Sequence, residues 1–490
     1  MTPPPPSAFT ASTLAVDQQR RRRRTRLLLG GAAAAVVASL AVWAWSGTGG
    51  TPGGTAGGDD RPASAAQAPD AVRRTVETAP RSVEGRAAVQ YREEIRQVGA
   101  TADAPGAWAT DKVFAKGLVN TVKGFSLTKA NATDAKGDRP AWTLTFPGPL
   151  CATTRHVSAA GWTAVAYAGE RVDPGQSLGA PCDRLAVIDL DTGKKRWETR
   201  LGTADAPAGN VNVTMTDGAV AVAGDQGSAA YDTTSGKRLW TRSARGTCTD
   251  SGFAGGSALL ALVRCGDSAG PRFRVERVDA HTGRTRWTYR VGEGIEAVYL
   301  ASAAPAVIAV AAGDVEVSHL IPLDEHGRAR GTIRLADTHM PVGCDRPFSA
   351  VVESCRSVVV GARELYLPVD DDIVAFDLAT GRSGRRFASP TGAMTPLKTN
   401  GDHLIAYREG SGFTPSAVVS LDPATGEERP LLLFGANPDD LAGTDDPTRD
   451  DILYEHGRLF LAATGVYGPT DKGHLGELSN VAVGVESIAP

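Results

Sequence analysis

The sequence predicts an all-β protein, an eight-bladed β-propeller that follows a single N-terminal transmembrane helix. Three observations support this prediction. A turn motif recurs about every 45 residues, two apolar runs precede most copies, and one uncharged stretch lies beside a run of arginines. A repeat of about 40–50 residues with strand content is typical of propellers, in which each repeat forms one blade. A seven-bladed ring, with residues 85–146 outside it or fused to the last blade, is the alternative.

The N-terminal 45 residues predict the location of the protein. Residues 1–26 hold six arginines and one acid and form a basic tail. Residues 27–45 carry no charge, and a helix of this length nearly spans a ~30 Å hydrocarbon core. The positive-inside rule places the tail in the cytoplasm and the rest of the chain outside, as in a single-pass protein of the cell membrane. A cleaved signal near residues 42–44, which would release a secreted protein, remains open.

The rest of the chain divides into a linker and one folded region. Residues 46–104 begin with Gly, Ala, Pro and Thr and are interpreted as a flexible extracytoplasmic linker and arm. The propeller is expected over residues 105–490. The chain has a net charge of −3 and its basic tail carries +5, which leaves −8 for everything beyond the tail. An acidic body does not attract phosphate backbones, so nucleic-acid binding is not expected.

All six cysteines follow the predicted membrane segment, in an oxidising compartment. Short loops and the repeat register favour sequential pairing over the other fourteen schemes. No CxxC pair occurs and the histidines are scattered, so a zinc site is not expected. The expected disulfides are Cys151–Cys182, Cys248–Cys265 and Cys344–Cys355.

The repeated motif reads Asp, then Thr or Ser followed by Gly, and in three copies a Trp four residues later. In such a turn the Gly adopts a positive φ and the Asp carboxylate accepts hydrogen bonds from backbone amides. These residues are therefore interpreted as structural and not catalytic. A further copy spans residues 323–327. The other copies contain Asp189, Gly193 and Trp197; Asp232, Gly236 and Trp240; Asp279, Gly283 and Trp287; Asp377 and Gly381; and Asp422 and Gly426.

Each Trp is expected to pack between neighbouring sheets while its N–H finds a carbonyl. Trp142 is expected to close a degenerate first blade in the same way. Apolar runs predict the second strand of each blade at residues 113–115, 163–166, 219–222, 259–262, 307–310, 364–367, 403–406 and 458–461. The last blade lacks a fourth strand, which an N-terminal segment such as residues 94–98 would supply, removing the open sheet edge.

The blade register also predicts two different faces of the ring. Connections from a fourth strand to the next blade, and from a second to a third strand, emerge on one face, where the disulfides are expected. The Thr-Gly turns lie on the opposite face. The disulfide-bearing face is the candidate binding surface. Protection of long loops in an oxidising envelope is an equally simple reason for the disulfides.

The Asp-x-x-Thr-Gly-x-x-x-Trp frame resembles the tryptophan-docking repeat of the PQQ-like (pyrroloquinoline-quinone-like) propeller superfamily. The resemblance covers about residues 105–490, and the whole chain is similar to membrane-anchored PQQ-like repeat proteins of actinobacteria. The superfamily includes quinoprotein alcohol dehydrogenases and the outer-membrane assembly lipoprotein that scaffolds β-barrel insertion. The resemblance therefore implies a fold more strongly than a function.

Quinoprotein dehydrogenases of this superfamily hold their quinone with a disulfide between adjacent cysteines and a stacking Trp, and use Ca²⁺ beside a catalytic Asp. No two cysteines are adjacent here, so no catalytic, cofactor-binding or metal-binding residue is assigned. Asp370, Asp371, Asp372 and the acidic run 439–451 lack the spacing of a calcium loop and are interpreted as solvated loops. His156 is interpreted as a packing residue and not as a general base.

The sequence thus favours a membrane-tethered propeller that acts outside the cytoplasm as a non-enzymatic binding or scaffold module. Its expected partner is an envelope protein or a small ligand, bound by one loop face, with no cofactor. A divergent dehydrogenase that uses PQQ and Ca²⁺ is the alternative.

Overall fold

The computed structural model describes residues 67–489 except 96–97, 129–138, 171–180, 203–209, 226, 245, 268–269, 314–315, 336–341, 345–351, 412–413, 436–440, 442–443, 445, 470 and 472–476. The predicted tail, the predicted transmembrane segment and the linker up to residue 66 lie outside the described residues. Within the described ranges, no helix is long and apolar enough to cross a bilayer. The chain there forms eight four-stranded antiparallel sheets and one two-stranded ribbon.

Two strands precede the first blade. They are β1 (Gly85–Glu94) and β2 (Thr101–Asp103). The first four blades follow in chain order. They are β3 (Ala107–Ala109), β4 (Val113–Leu118), β5 (Thr121–Ser126) and β6 (Trp142–Thr145); β7 (Leu150–Thr153), β8 (Trp162–Tyr167), β9 (Arg184–Asp189) and β10 (Lys194–Arg200); β11 (Asn212–Thr216), β12 (Ala219–Gly224), β13 (Gly227–Asp232) and β14 (Arg238–Arg242); and β15 (Cys248–Ala254), β16 (Leu259–Asp267), β17 (Gly270–Val278) and β18 (Thr285–Arg290).

The next three blades repeat the same order. They are β19 (Ile295–Ala303), β20 (Ala306–Ala312), β21 (His319–Pro322) and β22 (Ile333–Arg334); β23 (Val359–Val360), β24 (Glu364–Val369), β25 (Asp372–Asp377) and β26 (Ser383–Phe387); and β27 (Met394–Asn400), β28 (His403–Arg408), β29 (Ser416–Leu421) and β30 (Glu428–Phe434). The eighth blade uses β31 (Asp451–Glu455), β32 (Arg458–Ala462), β34 (Leu478–Ser487) and β1, while β33 (Gly465–Tyr467) pairs with β2.

The prediction of eight blades is confirmed, and the seven-bladed alternative is wrong. Every apolar run expected to be a second strand is one: β4, β8, β12, β16, β20, β24, β28 and β32. These strands are buried on both sides because each sheet packs between two others. Strand β8, for example, is buried at all six positions, whereas the outer strand β10 is mostly exposed. Continuous small apolar sequence in the second strands follows from this placement.

The ring closes when the N-terminal strand joins the last blade. Strand β1 pairs antiparallel with β34 from Gly85 opposite Ser487 to Glu94 opposite Leu478. Closure by an N-terminal segment was expected, but the strand lies at residues 85–94 and not at 94–98. The buried side chains of Val89 and Tyr91 determine its position. The propeller therefore includes residues 85–94, which sequence analysis assigned to the linker and arm.

Candidate functional site

The Thr-Gly turns share one face of the ring, called here the turn face. In five of them an Asp carboxylate accepts a hydrogen bond from the amide three residues on, at 3.0 Å for Asp189 and 2.8 Å for Asp377. The Thr380 hydroxyl and amide hold the pKa of Asp377 below its usual value. Each of these carboxylates is committed to its own turn. The other three are those of Asp232, Asp279 and Asp422.

The neighbouring blade packs against the glycine of each turn. Gly193, Gly236, Gly283, Gly381 and Gly426 all have φ between 68° and 80°. The indole of Trp240 lies over Gly283, where an added Cβ would fall 2.8 Å from the ring. The positive φ and the covering ring both exclude a larger side chain.

Three tryptophans also bond the next turn. Their indole N–H groups donate to a carbonyl three residues before the covered glycine. The pairs are Trp142 to Leu190 at 3.0 Å, Trp197 to Thr233 at 2.8 Å and Trp240 to Ala280 at 2.8 Å. Trp287 covers Gly327 of the fifth blade without such a bond among the described residues.

Arg385 takes the role of the missing tryptophan between the sixth and seventh blades. Its Nε donates to the carbonyl of Pro423 and its Nη2 to that of Ala424, each at 2.7 Å. Nη1 covers Gly426. Sequence analysis missed this residue, although it stands four residues after Gly381, where the motif has Trp.

A segment of residues 67–84, called here the strap, crosses the turn face. Near its start, the carbonyl of Asp70 accepts a hydrogen bond from Gly218 of the third blade at 3.1 Å. Further on, the buried Glu77 carboxylate pairs with Lys398 of the seventh blade at 3.0 Å and accepts the Gly457 amide of the eighth at 2.9 Å. Because the third and seventh blades are opposite in a ring of eight, the strap spans the turn face.

The three expected disulfides are present. Cα–Cα distances are 6.1 Å for Cys151–Cys182, 3.9 Å for Cys248–Cys265 and 3.9 Å for Cys344–Cys355. Each of the first two joins the start of a first strand to the end of a second strand or to the connection that follows it, on the face opposite the Thr-Gly turns. That face is called here the stapled face, and its location agrees with the predicted register.

The third disulfide belongs to the connection between the fifth and sixth blades, and this loop extends into the centre of the ring. We call residues 342–358 the plug, of which 342–344 and 352–358 are described. Both of its cysteines are fully buried. The carbonyl of Val352 accepts the amide of Leu300 in β19 at 2.8 Å, and Arg356 pairs with Asp451 in β31 at 2.9 Å. Because β19 and β31 are inner strands of the fifth and eighth blades, the plug occupies the channel.

Glu353 of the plug is the buried acid at this centre. Its carboxylate accepts the Thr214 hydroxyl of β11 at 2.8 Å and contacts the His156 ring, also at 2.8 Å. Burial alone would raise its pKa, but His156, Arg155 and the Thr214 hydroxyl together hold the pKa of Glu353 below its ordinary value of 4.5. His156 therefore bonds the plug to the second blade. Sequence analysis did not single out Glu353.

Glu353→Gln is expected to lower the free energy of unfolding by about 1–3 kcal/mol at pH 7, because the ionised carboxylate bonds two partners in a buried site. A depressed pKa means that the ionised form stabilises the fold above about pH 4.5 and that this stabilisation is lost as the pH falls through the folded pKa. The difference between wild type and variant should thus shrink below pH 4.5 in denaturant titrations. Glu325→Gln, at a side chain 71% exposed, is the control and should change little.

The described residues do not fit a quinone held with Ca²⁺. No cluster of three or more His, Cys, Asp or Glu within the described ranges could hold a metal ion. The acidic runs have other partners, since Asp372 bonds Arg386 and the Ser389 amide, and Asp446 bonds Arg449 at 2.8 Å. Asp439, Asp440 and Asp445 lie outside the described residues. The plug also places this chain's own side chains, including that of Glu353, against the inner strands of the channel.

Comparison with known proteins identifies the family. A PQQ-like family model, described as that of the outer membrane protein assembly factor BamB, matches residues 128–383. The chain belongs to this PQQ-like β-propeller family. Among curated proteins, none matches the sequence.

Several solved structures are similar to this PQQ-like propeller. BamB from Moraxella catarrhalis is 15% identical, with a TM-score of 0.43 over 81% of this chain and 98% of that one. A quinohemoprotein alcohol dehydrogenase from Pseudomonas putida HK5 is 12% identical, with a TM-score of 0.45 over 85% and 78%. A europium-containing methanol dehydrogenase is 11% identical, with a TM-score of 0.44 over 82% and 93%. These are similarities of fold.

The stapled face of this PQQ-like propeller carries an apolar patch between its eighth and first blades. We define the patch as Val98, Val119, Tyr467 and Leu478, which are 39%, 42%, 63% and 59% exposed. Tyr467 pairs with Thr101 in the β2–β33 ribbon, Leu478 begins β34, and the Val119 amide bonds the end of β2. The patch therefore surrounds the ribbon, and sequence analysis did not locate it.

Proposed function

We propose that this PQQ-like propeller is a non-enzymatic binding module of the cell envelope. In this proposal residues 27–45 tether it to the cell membrane, with the propeller outside the cytoplasm, and the stapled face binds a protein partner. The observation that carries the proposal is the apolar patch. Several large apolar side chains exposed together on one face are typical of protein-interaction sites.

The other parts of the ring support the choice of this face. The strap crosses the turn face, and the plug lies in the channel, where Glu353 and Val352 bond inner strands. The stapled face keeps exposed apolar side chains, and its loops are fixed by Cys151–Cys182 and Cys248–Cys265. Ordered loops reduce the entropy lost on binding, which favours a surface of this kind.

The family supports a protein as the partner. Its description names an outer membrane protein assembly factor, so its named member takes part in the assembly of outer membrane proteins. The described residues offer no metal cluster, and the motif carboxylates are committed to their turns. These observations favour a binding module over the alternative, a divergent dehydrogenase that uses PQQ and Ca²⁺.

Site-specific photo-crosslinking in native membranes tests the proposal. Benzoylphenylalanine in place of Tyr467 should give one discrete cross-linked protein species. The same group in place of Val76, 78% exposed on the strap, should not give it. Adding Leu478→Asp should weaken the Tyr467 cross-link, since a charge at the patch opposes apolar contact.

Equal cross-linking from both faces, or none from Tyr467, would contradict a partner at the patch. Retention of a quinone absorption band through gel filtration, after incubation with PQQ and Ca²⁺, would instead support the dehydrogenase.

A further inference from the structure

The seam between the fourth and fifth blades differs from the three seams before it. Trp142, Trp197 and Trp240 each donate their indole N–H to a carbonyl of the next turn. The N–H of Trp287 has no hydrogen-bond acceptor among the described residues, although its ring covers Gly327 as the others cover their glycines. The indole N–H of Trp287 is therefore a donor without an acceptor among the described residues at this seam.

The length of the turn explains the missing acceptor. At the earlier seams, Asp and Gly are four residues apart, and the glycine amide bonds the Asp carbonyl, as Gly283 bonds Asp279 at 2.9 Å. The carbonyl one residue later is then free to accept the indole N–H. At the fifth blade Gly327 follows Asp324 by three residues, and its amide bonds the Asp324 carbonyl at 3.0 Å. The carbonyl three residues before the glycine is thus already engaged within the turn.

The residue opposite Trp287 in the sheet is also different. The first three tryptophans pair with Gly124, Val187 and Ala230. Trp287 pairs with Arg277 of β17. The guanidinium of Arg277 is partly buried and has no hydrogen-bond acceptor or carboxylate partner among the described residues. Burial and the neighbouring Arg286 lower the pKa of Arg277.

A cavity of about 420 Å³ opens at this point, lined by Arg277, Arg286, Trp287, Glu325 and His326. Arg286 pairs with Asp279 at 2.6 Å, and Glu325 with Arg330 at 3.3 Å. Glu325 also lies 3.7 Å from His326, so the Arg277 guanidinium and the Trp287 N–H are the two lining groups without a partner among the described residues. An adjoining cavity of about 300 Å³ shares Arg277 and Trp287. It has apolar walls at Pro305, Leu323 and Leu378, beside the charged residues Asp324, Glu325 and Arg330.

We propose that this seam binds an oxyanion, a carboxylate or phosphate group carried by a small organic molecule. A guanidinium offers two parallel donors that match such a group, and the indole N–H adds a third. The apolar walls of the adjoining cavity would accept the remainder of the molecule. The site lies on the outer rim beside the turn of residues 323–327, away from the apolar patch, so it is independent of the proposed protein partner.

Nuclear magnetic resonance of the indole N–H groups tests the proposal in the full chain, labelled with ¹⁵N at tryptophan. Inorganic phosphate and benzoate serve as probes, and chloride at equal ionic strength serves as the control. The Trp287 resonance, assigned with Trp287→Phe, should shift and saturate with at least one probe. The resonances of Trp142, Trp197 and Trp240 should not shift, since carbonyls already accept their N–H groups.

The two probes distinguish the sources of the oxyanion. A larger shift at lower concentration with benzoate identifies a carboxylate with an apolar body, and the reverse identifies a phosphate group. Arg277→Gln should raise the half-saturating concentration at least tenfold. A shift no larger than that with chloride for both probes, or an unchanged titration in Arg277→Gln, would overturn the proposal.

Discussion

Removing the closing strand is expected to unfold the ring. A chain that begins at residue 95 lacks β1 and leaves the whole length of β34 as an open edge. It also loses the buried side chains of Val89 and Tyr91 and the pairing of Arg86 with Glu486 at 3.0 Å. Burial of two such side chains contributes roughly 3–6 kcal/mol, and a typical domain is stable by only about 5–15 kcal/mol. We expect this chain to melt without cooperativity and to aggregate through its edge.

A chain that begins at residue 67 is the control, and it should melt as the full chain does, because it retains every described contact. A chain that begins at residue 81 distinguishes the contribution of the strap to stability from that of β1, since it loses Glu77 but keeps β1. It should fold with a lower melting temperature. A synthetic peptide of residues 81–95 should restore cooperative melting to the chain that begins at residue 95. Cooperative melting of that chain without the peptide would contradict closure by β1.

Local patterns made most of the ring predictable. The Asp-to-Gly turns and the apolar second strands are short-range features that repeat with the blade, so each copy reinforced the others. The closing strand was predicted about nine residues too late, at residue 94 and not at residue 85, because its apolar pattern is weak. Only Val89, Tyr91 and Ala88 are buried in it, and charged residues follow directly.

The plug and the strap were not predictable for a different reason. Glu353 lies 197 residues from His156 and 139 from Thr214, and a loop without regular structure has no periodic sequence. The disulfide within residues 344–355 was the one local sign of the plug. The strap has few apolar residues and is bound mainly through its backbone and Glu77, so its composition resembles that of a linker.

The apolar patch and the rim cavity arise where the repeat is broken. The patch surrounds the ribbon of β2 and β33, which replaces an ordinary connection where the ring closes. The cavity lies where one turn is a residue shorter and Arg277 replaces a small or apolar residue. Regular copies of the motif build the scaffold. Departures from it therefore locate the candidate sites better than the motif residues do.

Tryptophan docking gives the second large expected effect. Trp240 is 9% exposed, packs over Gly283 of the next blade and donates its N–H to the Ala280 carbonyl at 2.8 Å. Trp240→Ala should lower the free energy of unfolding by about 3–5 kcal/mol, because it leaves a cavity between two blades. Trp240→Phe keeps most of the ring area and should cost about 1–2 kcal/mol, mainly through the lost hydrogen bond. Denaturant titration of the full chain measures both.

Trp287→Ala is the matched comparison, since this tryptophan occupies the same position of the next blade but lacks the hydrogen bond and lies against an open cavity. Its cost should be smaller than that of Trp240→Ala by about 1 kcal/mol or more. Gly283→Ala should destabilise the wild type through contact of the new Cβ with the Trp240 ring, 2.8 Å away, and should cost less in the Trp240→Ala background. The positive φ of Gly283 contributes equally in both backgrounds, so the difference isolates the docking contact. Equal costs for the two alanine variants, or additive effects of Gly283→Ala and Trp240→Ala, would show that docking does not determine the stability of these seams.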